Sequence, residues 1–291
     1  MTDPVHVIGA SGRSGLALCR SLLADGIPVV PVVRNAAKWH AADLPGGVLP
    51  GAERVAELRD PEGLRAALFG ATRVVSCAHA RHTAAIVAAA PATAMLVLLG
   101  STRKFTRWPD AHGDGVLAGE AALLGSGRPG VMLHPTMIYG AQGEDNVQRL
   151  AALLRRLPVM PLPGGGRFLV QPIHQSDVTR SIRAALERRW EGPGSLVVAG
   201  PAAVRYADFV RAVAAAAGTR KPLILPFPAG PLILAARLTK HVAALPTVRP
   251  EEIRRLLEDK EFDIGPMRDL LRIEPVSLTK GLALTFARPQ E

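Results

Sequence analysis

VHVIGASGRSGLALCRSLLADG, residues 5–26, is the stretch from which the fold is read. Val5 to Ile8 is a short apolar run that stops at glycine, as a buried parallel strand does before its turn. A helix should follow, because Leu16, Cys19 and Leu23 recur at i, i+3 and i+7 to give one apolar face, and Asp25-Gly26 supplies a stop. Between strand and helix stands G-x-x-G-x-x-G, with glycines at 9, 12 and 15. Glycine permits the tight turn and lets backbone N–H groups approach a pyrophosphate, whose charge the helix N-terminus favours. An isolated glycine-rich turn would carry little, but this context predicts a dinucleotide site built from Gly9, Ser11, Gly12, Arg13, Ser14 and Gly15.

Outward from that unit the alternation continues. Ile27 to Val33 reads as a second strand, whose prolines at 28 and 31 suit an edge or a strand start. Arg54 to Leu58, Arg73 to Cys77, Ala94 to Leu99 and Val131 to His134 read as strands. Helices are expected at Pro61 to Phe69, His82 to Ala90, around Glu120 to Leu124, and at Asn146 to Leu157. Strands alternating with helices imply an α/β fold, a Rossmann-type doubly wound parallel sheet. Beyond the turn-rich PLPGGG the units become irregular: Ser176 or Asp177 is placed to cap a helix, Ser195 to Ala199 reads as a returning strand, and Tyr206 to Gly218 and Glu251 to Asp259 as helices. We therefore expect a dinucleotide-binding domain over 1–165, and over 166–291 a mixed region with a return strand and a small substrate-facing subdomain.

Composition narrows the function classes. The 291 residues suffice for one large domain or a core with a small appendage. Cys19 and Cys77, the only two cysteines, each lie in an apolar run and read as core thiols of a reducing compartment. The opening residues lack a signal peptide's basic and apolar regions, which points to a cytoplasmic protein. Leu223 to Leu245 is apolar but is broken by prolines and carries Arg237, Lys240 and His241, so it cannot span a bilayer as a regular helix. It is left as a peripheral membrane contact, a cover for a greasy ligand or a buried wall. The net charge of +10 invites a nucleic-acid reading, yet its arginines are scattered without interleaved aromatics, which argues against one. His79 and His82 stand at i, i+3 with no third ligand nearby, so no metal site is expected.

Cofactor choice is read at the end of the second strand, where an acidic residue would hold the ribose hydroxyls of NAD(H). This chain has Arg34, whose guanidinium can clamp a 2′-phosphate, with Arg13 and Lys38 able to add charge. NADP(H) is expected, with NAD(H) as the alternative.

These residues resemble the extended and atypical short-chain dehydrogenase/reductase superfamily, which includes the NAD-dependent epimerases and dehydratases of nucleotide sugars. The resemblance is carried by GASGRSG at 9–15, ELRDPEGLRAALFGATRVVS at 57–76, HPTMIYG at 134–140, QPIHQSDV at 171–178 and DKEFDIGPMRDLL at 259–271. It implies that Glu57 and Leu58 edge the adenine pocket, that Ser76 and Ala78 line the cofactor, and that Tyr139 and Gly140 belong to the loop closing on the nicotinamide. It further implies that Thr102 matches the active-site Ser/Thr and that Arg167, Gln171 and His174 meet substrate.

One departure matters most. Catalytic members pair a proton-transferring tyrosine with a lysine four residues later. Here Tyr139 is followed at that spacing by Gly143 and Tyr206 by Val210, so no Y-x-x-x-K pair exists. Counting back from Glu120, the tyrosine position falls near His112 and the lysine position near Val116. His112 is then a substitute proton donor or a solvated loop histidine, and Lys104 either swings into the vacancy or lies on the surface. Two functions compete: an NADP(H)-dependent oxidoreductase or epimerase on a nucleotide sugar or other small carbonyl compound, and a non-catalytic NADP(H)-binding sensor or partner-binding protein.

Overall fold

The computed structural model describes residues 3–42, 44–45, 51–140, 146–238 and 250–287. The first half runs β1 (Val5–Ile8), α1 (Arg13–Ala24), β2 (Val29–Val33), α2 (Ala36–His40), β3 (Arg54–Val55), α3 (Pro61–Ala67), β4 (Arg73–Ser76), α4 (Thr83–Ala89), β5 (Met95–Leu99), α5 (Ala111–Gly125) and β6 (Gly130–Pro135). The second half adds β7 (Ile138–Tyr139), α6 (Asn146–Arg156), β8 (Val159–Pro163), β9 (Leu169–Val170), β10 (Ile173–His174) and α7 (Gln175–Glu187). It closes with β11 (Pro193–Val198), β12 (Val204–Arg205), α8 (Tyr206–Ala216), β13 (Leu223–Phe227), α9 (Ala229–Leu238), α10 (Pro250–Arg255), α11 (Gly265–Leu271) and α12 (Leu278–Phe286).

Seven strands form one parallel sheet in the order β11-β6-β5-β4-β1-β2-β3, the doubly wound arrangement expected from the alternation. Side chains alternate across it. Val5, Val7, Val75, Val97 and Val131 pack on one face against Leu18, Cys19 and Leu22 of α1 and Val178 and Ile182 of α7. Ile8, Val32, Val74, Leu96 and Met132 pack on the other against Leu64, Ile86, Val116 and Leu123. Full burial of each such leucine contributes roughly 1.5–3 kcal/mol, so both faces are firmly covered. Register aligns the strand ends: Ile8 lies opposite Val32 and Ser76, and Ser76 opposite Leu98. The loops after β1, β2, β4 and β5 therefore leave from one edge, where a parallel sheet of this order binds its ligands.

Three local expectations are corrected. β2 is internal, so of the two places offered for its prolines only the strand start holds, and only for Pro28; Pro31 sits within the strand opposite Val7. Pro28 and Val32 offer their carbonyls to Val5 and Gly9, so the alternation turns the Pro31 nitrogen toward β3, which pairs only Val32 and Val33. The strand expected at Arg54 to Leu58 shrinks to two residues. The cap of α7 is His174, whose ring accepts from the Ser176 N–H; Asp177 lies inside the first turn, pairs with Arg180 and accepts from the Val276 N–H.

A third core joins elements on both sides of residue 165: Val147, Ala151 and Leu154 of α6, Met160 and Leu162 of β8, Phe209, Val210 and Val213 of α8, and Leu282 of α12. The apolar segment begun at Leu223 is β13, paired with β8, followed by α9; Leu223, Leu225, Phe227 and Leu234 are exposed, and residues 239–249 lie outside the described ones. The described part is thus no buried wall. Among the described residues no helix is long and apolar enough to cross a membrane.

Candidate functional site

The glycine loop is built by contact. Gly9 adopts φ +75°, the Gly12 N–H returns to its carbonyl at 2.8 Å, and α1 starts immediately. A Cβ on Gly15 would lie 2.1 Å from the Gly9 carbonyl oxygen, so only glycine lets α1 approach β1 this closely. Gly12 caps α1 without a side-chain hydrogen bond, and the first turn holds no acid. Its orphan N–H groups thus stay suited to an anion. Ser14 Oγ donates to Gln175 Oε1 at 3.2 Å, tying the loop to α7. Ser11, Gly12, Arg13, Lys38, His174 and Gln175 share a groove of about 780 Å³.

Along the same edge, exposed Arg34 follows β2, and Asn35 caps α2 by accepting from the Lys38 N–H. Glu57 and Leu58 follow β3. Ser76 ends β4, and its Oγ accepts from the Ala78 N–H at 3.3 Å. The Ala78 nitrogen would be 3.3 Å from a Cβ on Gly9, so the turn after β4 lies against the glycine loop. Burial, followed by the guanidinium groups of Arg81, Arg59 and Arg34, lowers the pKa of His82, which marks positive charge at this end.

The opposite end lies beyond β5. Thr102 Oγ1 donates to the Pro135 carbonyl at 3.3 Å. His112, in the first turn of α5, is not a solvated loop residue: its Nδ1 is 3.0 Å from His79 Nε2, and the rings meet edge to face at 4.2 Å. Asp110 caps α5 by accepting from the His112 and Gly113 N–H groups, and it pairs with Arg103. Sequence reading missed the pair, although His79 was visible as half of an i, i+3 pattern; it partners His112, not His82. Among the described residues no three His, Cys, Asp or Glu converge as metal ligands.

Lys104 does not enter the lysine position. Its ammonium pairs with Glu120, 3.4 Å from His134 Nε2 and 3.5 Å from Ser195 Oγ. His134 is fully buried, and burial followed by the Lys104 charge lowers its pKa to about 4, so the ring is neutral. Val116 faces the second core. Both tyrosines belong to the C-terminal lobe. Tyr139 is fully buried, its hydroxyl lies against Gly281 without a hydrogen-bond partner among the described residues, and burial raises its pKa. It can meet a cofactor only through its backbone. Tyr206 opens α8 and packs 5.9 Å from Phe209.

The residues assigned to substrate divide three ways. Arg167 is exposed beside Phe168. Gln171 is 2% exposed and spends its amide on structure, donating to Gly200 O and Phe262 O and accepting from the Phe262 N–H. It is a strut for the chain near 262, not an open contact. His174 lines the glycine-loop groove instead, and its Nε2, near Gly140, has no partner among the described residues.

Residues 9–111 match the family described as NAD(P)H-binding. No curated protein matches the sequence. Among solved structures of similar fold are MoeE5 in complex with UDP-glucuronic acid and NAD, at TM-score 0.72 and 19% identity, covering 98% of each chain. The UDP-glucuronic acid 4-epimerase from Bacillus cereus, with UDP-glucuronic acid and NAD, aligns at TM-score 0.71 and 16% identity over 98% of each chain. The UDP-glucose 4-epimerase of Thermus thermophilus, in complex with NAD, aligns at 0.67 and 19%, again over 98% of each. The chain shares the Rossmann-type fold of these structures, the fold that the sequence resemblance implied.

Proposed function

We propose that this chain is an NADP(H)-dependent oxidoreductase or epimerase acting on a nucleotide sugar or another small carbonyl compound. The glycine cradle carries the reading, because the contact between Gly15 and the Gly9 carbonyl has no use in an ordinary turn but brings loop N–H groups and a helix terminus together. NADP(H), when bound, supplies or accepts the hydride. The loop N–H groups receive the pyrophosphate, and Arg34 and Lys38 receive the 2′-phosphate that distinguishes NADP(H). His112, beyond β5, donates a hydrogen bond to the substrate's reacting oxygen; Thr102 adds a second only by giving up its bond to the Pro135 carbonyl. The Thr102 proton is already given to the Pro135 carbonyl, which makes His112 the group on which turnover depends: its N–H stabilises the developing oxyanion, and the proton that accompanies the hydride comes from water.

A second reading, an NADP(H)-binding protein without catalysis, is favoured by one observation: the lysine position is the buried Val116, and Lys104 is held by Glu120. NADPH oxidation against a panel of carbonyl compounds and nucleotide sugars separates the two. The parent should turn over, His112→Ala should lose roughly 10²–10³ in rate, the cost of removing one oxyanion donor, and Tyr139→Phe and Tyr206→Phe should match the parent. Collapse in Tyr139→Phe would overturn the assignment of His112, and turnover by none of these proteins would leave the non-catalytic reading.

A further inference from the structure

We infer that His79 is a positioning residue that holds His112 as a neutral imidazole with its proton on Nε2, so that the site offers the substrate oxygen a hydrogen bond and not an imidazolium proton. The inference rests on the reading of His112 as the group at the reacting oxygen.

Two hydrogen bonds fix the protons. The Arg81 backbone N–H donates to His79 Nδ1 at 3.0 Å, so that nitrogen carries a lone pair and the neutral ring has its proton on Nε2. That Nε2–H points at His112 Nδ1, 3.0 Å away, which must accept. The proton of His112 is therefore on Nε2, the nitrogen turned away from His79. Asp110 fixes the first turn of α5 and with it the place of His112. Gly115 completes the arrangement: a Cβ there would lie 3.0 Å from His79 Cε1, so a mid-helix glycine, which costs about 1 kcal/mol relative to alanine, makes room for the ring.

Protonating His112 breaks this chain. A proton on its Nδ1 would confront the His79 Nε2–H; moving the His79 proton to Nδ1 would confront the Arg81 N–H. The surrounding charge acts the same way. His112 faces Arg103 from the turn after β5, Arg81 from the turn after β4 and Arg255 from α10, with Asp110 as the opposing anion. His79 faces Arg81, His82 and Arg103 as well as His112. Burial first, and these cations second, lower His79 to about 4 and lower His112 also. A free imidazole would be half protonated at pH 6.5, the ordinary value.

The test uses the full chain with 15N-labelled histidine, whose long-range proton–nitrogen correlations report tautomer and protonation, together with a pH–rate profile on the fastest panel substrate. At pH 6.5 the parent should show His112 and His79 as Nε2–H tautomers, with His112 mostly unprotonated. His79→Phe, which removes the donor, should move the His112 midpoint up toward 6.5 and add an inflection to the profile. His79→Gln, which keeps an N–H at the Nε2 position, should restore the parent behaviour. A parent His112 that is half protonated at pH 6.5 or carries its proton on Nδ1 overturns the inference, as does a His79→Phe protein with unchanged titration and profile. The tautomer is read without turnover, so the two failures separate. Neutral His112 in a protein that oxidises no NADPH sinks only the enzymatic reading. His112-dependent oxidation with a titrating His112 sinks only the role of His79.

Discussion

At Gly15 the difference between a turn and a cradle comes down to one atom, since a Cβ would stand 2.1 Å from the Gly9 carbonyl oxygen and 3.0 Å from the Ala10 Cα. Gly15→Val should force α1 away from β1, cost about 1–3 kcal/mol of stability and abolish NADPH binding, as checked by thermal melting and titration. A Cβ on Gly12 would meet only the Gly9 oxygen, at 3.0 Å, so the fold should survive Gly12→Val better while binding is still lost. A folded Gly12→Val protein that binds NADPH like the parent would contradict the assignment of the loop. Arg34 acts through charge: Arg34→Ala should remove a contact of about 1.5–3 kcal/mol, a ten- to hundredfold loss of NADPH affinity with NADH affinity unchanged. The glycine loop was legible because strand, turn and helix are contiguous. The His79 and His112 pair was not, because its members are 33 residues apart on two turns and no local period links them.

α5 shows where local signals ran out. Its first turns, Ala111 to Val116, include Gly113 and Gly115, poor helix formers, so the sequence marked only Glu120 to Leu124. The helix starts there because Asp110 caps it, and because Gly113, Gly115 and Gly119 let it lie against neighbouring turns, a Cβ on Gly119 falling 2.1 Å from the Ala80 carbonyl oxygen. Asp110→Ala should cost about 1 kcal/mol in a denaturant titration and weaken the hold on His112. Burial opposes ionisation of Asp110, but the Gly113 N–H, the Arg103 guanidinium and the His112 N–H outweigh it and hold the carboxyl below its usual 3.8. Its contribution is thus present above 3.8 and lost as pH falls through the lower folded value, so parent and Asp110→Ala stabilities should converge in strong acid. A gap that persists there would mean the cap acts without its charge. The helix α7 was expected, but its cap was misplaced because a histidine, not Ser176 or Asp177, accepts the first-turn N–H.

Across the whole molecule the parallel sheet followed from the alternation of apolar runs, whereas the C-terminal lobe did not. Its ladders are short pairings of distant segments, β7 with β10, β9 with β12 and β8 with β13, and β8 and β13 carry prolines that mask a strand pattern. The net charge of +10 gathers in part where Arg34, Arg59 and Arg81 approach His82, at the edge that the glycine loop shares. That convergence is what the proposed NADP(H) site rests on. Calorimetric titration of the full chain with NADPH and, separately, NADH tests this most directly: saturable one-to-one NADPH binding, at least tenfold tighter than NADH, is the predicted result, and no NADPH binding, or equal affinity for the two, would contradict it.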